Sequence, residues 1–250
     1  MNTFILSNVK IVTQYGIINN GYIYVKRGII MAIGRTFPAK VHRSCHVIDG
    51  DGGWLLPGII DINNYLLGGG DSSSFFALES NFASHGVTSI FHTTSRSEPD
   101  RGIQLNKLRG LGIIRHHFQA NLPFTESFSI MSVPAIRIEA GNHNSPAISD
   151  MIKYPSMYVI CSDDTSASIL QTIFMLHHDY GLNLVDAMGM ASVNPAKVLG
   201  VENKFGSIEW GKTADLILTD KSEDIPAIKK VFVSGCMIFD SVTMQQENII

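Results

Sequence analysis

Hydrophobic and polar residues alternate in one way at the two ends of the chain and in another way in its middle. Residues 3–34 consist of short β-branched runs separated by turns that contain glycine, which is typical of a β-meander. The same β-like pattern returns after Gly200. We therefore predict a small β-sandwich domain that both chain ends build together, from residues 1–55 and 205–250.

Between these ends, apolar strands alternate with helical segments. A strand that is apolar on both faces is typical of a buried parallel sheet, and WLLPGIIDI has this pattern. We predict VTSIFHTTS and MYVICSDD as further buried strands and IIRHHFQANLP as another strand. Helical spacing predicts helices over residues 166–181 and 183–200, the second capped by Asn183. Residues 56–204 thus predict an α/β fold with an incomplete TIM-barrel-like (β/α) core, because a complete barrel takes about 250 residues.

Composition excludes several classes of function and partner. The 250 residues are 45% hydrophobic and carry a formal net charge of −3, so no basic surface for nucleic acid is expected. No apolar run approaches the roughly 20 residues that a membrane span needs, and the first residues do not have the pattern of a secretory signal. The three cysteines are widely spaced, which suits a reducing compartment, and we expect a cytoplasmic protein.

Three segments resemble the amidohydrolase superfamily: GDGGWLLPGIIDINN, CSDDTSASIL, and SVNPAKVLGV followed by GSIEWGKTADLILTD. Within that superfamily the details are most similar to the triphosphate diphosphohydrolases of the carbon–phosphorus lyase pathway, which release pyrophosphate from α-D-ribose 1-methylphosphonate 5-triphosphate. The similar details are GGWLLPG, the SDxxxASxL pattern of residues 162–170, and NPA with GKTADL. The resemblance implies a metallo-hydrolase barrel with the composite β-domain beside it.

The first strand departs from the pattern that the resemblance implies. In the family this strand ends in a His-x-His or His-x-Asp pair that binds a divalent metal, and alternate residues on a strand point the same way. Asn63 and Tyr65 occupy the corresponding positions here. An amide and a phenol do not hold zinc tightly, so we expect most of the metal centre to be lost.

Other candidate site residues follow from the same resemblance. Asp163 corresponds to the eighth-strand acid that acts as general base, and it could equally cap the following helix. His143 in GNHNSP and His117 in HHFQANLP resemble later metal ligands. A loop histidine bonded to backbone is the alternative for His143, and a core or surface histidine is the alternative for His117.

These residues predict a degenerate amidohydrolase-superfamily protein with weak or absent hydrolase activity. The expected cofactor is none, or a weakly bound zinc or manganese ion. One alternative is an active hydrolase with a mononuclear site at His117, His143 and Asp163. A second is a non-enzymatic binding or assembly protein for a small phosphorylated metabolite, and a third is a gene product without a selected role. We also expect a homo-oligomer, because a shortened barrel exposes strand edges.

Overall fold

A computed structural model of the chain describes residues 2–36, 45–64, 79–94, 114–120, 136–139, 148–162 and 169–243. In these ranges the fold is mixed α/β, which confirms the predicted class. The strands are β1 (Phe4–Thr13), β2 (Gly16–Lys26), β3 (Ile29–Gly34), β4 (His46–Asp49), β5 (Trp54–Pro57), β6 (Ile59–Asn64), β7 (Val87–Thr94), β8 (Arg115–Ala120), β9 (Ile136–Glu139), β10 (Tyr158–Cys161), β11 (Leu216–Thr219), β12 (Ile228–Val233) and β13 (Cys236–Asp240).

The helices lie mainly in the second half of the described ranges. They are α1 (Ile148–Lys153), α2 (Ile169–His178), α3 (Leu184–Gly189) and α4 (Val193–Val198). Residues 79–84 are also helical, and a short 3-10 turn spans Pro155–Met157. None of the helices in the described part of the chain has the length and apolar character that crossing a bilayer requires.

The largest sheet has eight strands, which come from both ends of the chain. Its order is β13-β12-β11-β5-β1-β2-β3, and β4 pairs with β1 as well. Ile29 at the β3 edge of the sheet forms a β-bridge with Thr213, just ahead of β11, so the sheet must curl to bring these residues together. Buried apolar side chains of this sheet form one cluster, which includes Phe4, Leu6, Ile11, Ile23, Val25, Ile30, Leu55, Leu216 and Phe232. Whether this unit is a sandwich stays a prediction.

Gly58 divides the segment that we predicted as one strand. β5 ends at Pro57 in the large sheet, and β6 begins at Ile59 in a separate parallel sheet. The Gly58 N–H donates to the Asp215 carbonyl oxygen at 2.9 Å, and a Cβ at this position would collide with the Thr88 side chain. The prediction of a continuous strand was therefore wrong, since this close approach turns the chain from one sheet into the next.

The middle of the chain forms two smaller parallel sheets. One contains β6, β7 and β8 in that order, and the other contains β9 and β10. Parallel pairing with helices between strands is the arrangement expected of a (β/α) core. Their side chains pack against the helices in one large apolar cluster that includes Ile59, Ile90, Ile160, Ile173 and Phe174. Closure into a barrel stays a prediction.

The helix predicted over residues 183–200 is in fact two helices, α3 and α4. Its predicted cap is confirmed, because the Asn183 side chain accepts a hydrogen bond from the Val185 N–H at 2.9 Å. The break falls at Ser192, whose φ of −136° and ψ of −70° lie outside the helical range. Its hydroxyl donates to the Met188 carbonyl oxygen at 2.8 Å, which ties the break to the end of α3.

The break supplies carbonyl groups to the edges of two parallel strands. The Ile60 N–H on β6 donates to the Ala191 oxygen at 2.9 Å, and the Ile160 N–H on β10 donates to the Met190 oxygen at 2.9 Å. Carbonyls at the end of a helix have no partner within it and can accept such bonds. We call Met190 and Ala191, which stand between these two described strands, the seam.

Candidate functional site

The middle of β6 and the carboxyl end of β10 meet through a buried carboxylate. Asp61 on β6 is fully buried, and its Oδ1 accepts a hydrogen bond from the Ser162 N–H at 3.2 Å. The Ser162 hydroxyl donates to the other oxygen of the same carboxylate. Ser162 directly follows β10 and is itself buried. The end of β10 is thus held to β6 through the N–H and the hydroxyl of a single serine.

Sequence reasoning missed Asp61, although a signal for it was present. It is the one acidic residue in the otherwise apolar stretch WLLPGIIDI. A buried carboxylate requires hydrogen-bond donors, so a lone acid inside a strand that is apolar on both faces predicts a specific polar partner. The family resemblance drew attention instead to Asn63, two residues further along the same strand.

The neighbouring histidines of β8 enter different surroundings, as alternation along a strand requires. His116 Nε2 lies 2.7 Å from the Oε1 atom of Glu79 in the helical residues 79–84, and both side chains are buried. The His117 ring stacks on Phe91, with ring centroids 4.1 Å apart and planes inclined by 6°. It also lies 5.5 Å from the Phe205 ring. His117 therefore packs within an aromatic cluster.

The remaining predicted site residues are only partly covered. Asn63 lies in β6. Tyr65, His143 and Asp163 lie outside the described residues. The structure therefore does not test whether His117, His143 and Asp163 come together, and the proposed ligand set stays a prediction.

An arginine on β8 connects the parallel sheet with the large sheet. Arg115 donates from Nη1 to one carboxylate oxygen of Asp215, and from Nη2 to the other oxygen at 3.1 Å. The same guanidinium donates to the hydroxyls of Ser89 at 3.1 Å and Ser234 at 2.8 Å. It also lies 4.4 Å from the centre of the Phe205 ring. The aspartate of GKTADL therefore joins two parts of the fold.

The pKa of the tyrosine at the amino end of β10 is shifted. Burial raises the pKa of Tyr158, the first residue of β10, and the nearby Asp150 carboxylate raises it further. The phenol therefore remains neutral at physiological pH. Its position at the amino end of β10 places it away from the end that carries Ser162.

The described residues do not fit a zinc-like centre. Within the described ranges, no group of three or more His, Cys, Asp or Glu side chains is arranged to hold a metal ion. A catalytic zinc generally takes three protein ligands from imidazole, thiolate or carboxylate groups. On β6 the carboxylate of Asp61 already accepts bonds from Ser162, and the next residue on the same alternation is an amide, Asn63.

Comparisons with known proteins agree on the family. The sequence pattern of the amidohydrolase family matches residues 80–239, more than half of the chain. An imidazolonepropionase from Idiomarina loihiensis is 35% identical over 71 residues, which are 28% of this chain and 17% of that protein. An N-acetylglucosamine-6-phosphate deacetylase from Vibrio furnissii is 30% identical over 83 residues, which are 33% of this chain and 20% of that protein. The matched segments thus span a fifth or less of these curated relatives.

Solved structures share the fold at low sequence identity. A β-aspartyl dipeptidase from Fervidobacterium islandicum AW-1 aligns with a TM-score of 0.71 and 14% identity, covering 95% of this chain and 96% of that chain. An N-acetyl-D-glucosamine-6-phosphate deacetylase from Mycobacterium smegmatis aligns with a TM-score of 0.69 and 15% identity, covering 94% of this chain and all of the other. With the family pattern matched over residues 80–239, the chain belongs to the amidohydrolase family.

Proposed function

We propose that this chain is a degenerate amidohydrolase that binds a phosphorylated sugar and hydrolyses it weakly or not at all. The observation that carries the proposal is the identity of the first-strand residues. β6 follows β5 of the large sheet directly through Gly58, as the first barrel strand follows the β-domain in the family that the sequence resembles. β6 carries Asn63. Tyr65 follows at the second ligand position in the sequence.

The donor chemistry at these two positions argues against a tight metal site. Zinc prefers imidazole and thiolate ligands, and harder cations prefer carboxylates. An amide offers one neutral oxygen, and a phenol stays protonated near neutral pH because its ordinary pKa is about 10. Without a bound cation, the pKa of water is not lowered, so metal-assisted hydrolysis loses its nucleophile.

The proposed ligand class rests on what similar proteins are named for. Two of the similar proteins above are N-acetylglucosamine-6-phosphate deacetylases, one matched in sequence and one in structure. The sequence details also resemble diphosphohydrolases that act on a ribose 5-triphosphate derivative. Both groups handle a sugar that carries phosphate, so a phosphorylated sugar is the chemical class that we propose for this chain.

Metal analysis tests the loss of the metal centre. Protein purified without chelator is expected to contain less than about a tenth of an equivalent of zinc or manganese. Stoichiometric metal that disappears in Asp163→Ala would contradict the proposal and support the mononuclear hydrolase instead. The variant His117→Ala distinguishes these two hypotheses further. If His117 is a metal ligand, the variant protein loses its metal. If His117 only packs against its aromatic neighbours, the variant protein mainly loses stability.

Thermal unfolding tests the ligand class. N-acetylglucosamine 6-phosphate is expected to raise the melting temperature, because a ligand that binds only the folded state stabilises it. N-acetylglucosamine without phosphate is the matched control and is expected to give a smaller shift. Equal shifts from both compounds, or none from either, would contradict recognition of the phosphate.

A further inference from the structure

The strand β10 is held at its two ends by two different polar side chains. At the carboxyl end, Asp61 accepts both the N–H and the hydroxyl of Ser162. At the amino end, the Asn194 side chain donates to the carbonyl oxygens of Pro155 at 2.9 Å and Tyr158 at 2.7 Å. Asp61, Ser162 and Asn194 are all more than nine-tenths buried. Each end of the strand therefore has its own side-chain attachment.

The described main-chain atoms of β6 and β10 are not paired with each other in one sheet. The two described strands belong to different sheets, and the seam carbonyls accept the N–H groups of Ile60 and Ile160. Beyond the seam, Asp61 and Ser162 add a hydrogen-bonded side-chain link between the strands, and Ile62 packs in one apolar cluster with Val159 and Cys161. A carboxylate that accepts two hydrogen bonds from one residue restricts both the distance and the orientation of that residue.

We infer that Asp61 is a positioning residue, which fixes Ser162 at the end of β10 relative to β6. Ser162 is directly followed by Asp163, and Asp61 is followed two residues later by Asn63. In parallel α/β folds the residues after the strands build the ligand site. This inference rests on the proposed function, since it assigns the ends of these two strands to the binding of the phosphorylated sugar.

The test compares variants that release one end of β10 or the other. Asp61→Ala removes both acceptors, whereas Asp61→Asn keeps one acceptor oxygen at nearly the same volume. Asn194→Ala releases the amino end and is the matched control. Calorimetric titration with N-acetylglucosamine 6-phosphate measures affinity, and thermal unfolding of the same samples measures stability. If Asp61→Ala does not fold, Ser162→Ala replaces it, because that variant removes the hydroxyl and keeps the backbone N–H.

Positioning and simple stabilisation give different results. We expect Asp61→Ala to weaken binding by about tenfold, because Ser162 loses Asp61 as the acceptor of both its N–H and its hydroxyl. Asp61→Asn should restore most of the affinity, and Asn194→Ala should lower the melting temperature with the affinity unchanged. If the affinity falls equally in Asp61→Ala and Asn194→Ala, or in neither, the inference is overturned.

Amide hydrogen exchange provides a second measurement that needs no ligand. Asp61→Ala is expected to speed exchange at Ser162 while Val159 and Ile160 keep their protection. Faster exchange along the whole strand, or no change at Ser162, would overturn the positioning role. If the wild-type protein binds no phosphorylated sugar, the proposed function fails, and the exchange result still decides whether Asp61 fixes the end of β10.

Discussion

Arg115 on β8 of the parallel sheet forms a bidentate ion pair with Asp215, which directly precedes β11 of the large sheet. The Asp215 side chain is almost completely buried, and that of Arg115 is 20% exposed. The Ser234 N–H also donates to Asp215 at 2.7 Å. One carboxylate thus connects β8, the start of β11 and the turn between β12 and β13.

Removing this carboxylate should strongly destabilise the protein. Asp215→Ala leaves the guanidinium of Arg115 without its anion, and breaking a buried pair in this way costs about 3–5 kcal/mol. Urea unfolding measures the change in the free energy of unfolding. Lys229→Ala is the control, because its ion pair with Asp51 is exposed and such pairs contribute about 1 kcal/mol or less. Equal losses in the two variants would contradict the role of Asp215.

The turn between the two sheets should not accept a side chain at Gly58. A Cβ there would collide with the Thr88 side chain, so Gly58→Ala is expected to cost about 1–3 kcal/mol by overpacking. Denaturant unfolding of Gly58→Ala, Thr88→Ala and the double variant tests the cause. The double variant should lose less stability than the sum of the two single losses. Additive losses would show that the collision with Thr88 is not the reason.

Part of the acid sensitivity should come from Glu209. Partial burial raises its carboxyl pKa, but hydrogen bonds from Lys212, Ser207 and Gln14 and the charge of Lys212 outweigh burial and lower the pKa below 4.5. A carboxylate with a lowered folded-state pKa stabilises the protein above its unfolded-state pKa. That stability is lost as the pH falls through the folded-state pKa.

Glu209→Gln provides the measurement of this effect. The free energy of unfolding of the wild-type protein should fall more steeply below about pH 4.5 than that of the variant. The two curves should differ most near neutral pH, where Glu209 is charged. Parallel curves over the whole range would show that Glu209 does not contribute to the acid transition.

Restoring the first-strand ligands should restore some metal binding. Residues 63 and 65 correspond to the two first-strand ligand positions of the family resemblance, and imidazoles suit zinc, so Asn63→His combined with Tyr65→His is expected to raise the zinc content. Elemental analysis after dialysis against zinc measures it. Asn64→His, at the intervening position, is the control and should leave the zinc content unchanged. A gain in the control equal to that of the double variant would indicate non-specific binding.

Self-association remains a prediction that the structure does not test. Uncovered strand edges favour pairing with a second chain, so we expect a homo-oligomer in solution. Sedimentation at micromolar concentration measures the mass directly. A monomeric mass under these conditions would contradict the expectation.

Local patterns predicted the elements whose form depends on their own residues. The strands β7 and β8 and the helix α2 lie within the segments that the apolar patterns indicated, because burial of their own side chains determines them. The Asn183 cap was predictable for the same reason, since the bond joins residues two positions apart.

Features that depend on distant partners were not predictable from the pattern. The strand break at Gly58 follows from Asp215 and Thr88, which are far away in the sequence. The helix break at Ser192 lets carbonyl groups bond to β6 and β10. The residues of the helix alone do not indicate that these strands lie beside it. Asp61 is the clearest case at the candidate site, because its partner Ser162 is 101 positions away.

The bonds at the seam involve only main-chain atoms of Met190 and Ala191. Every amino acid has the same carbonyl oxygen, so exchange of these two side chains does not by itself abolish either bond. Both side chains are fully buried in the apolar core, so packing limits which residues can replace them even though the bonds do not depend on their identity. Deleting or inserting one residue in this stretch would instead shift both acceptors at once, so its length is the property that selection has to preserve.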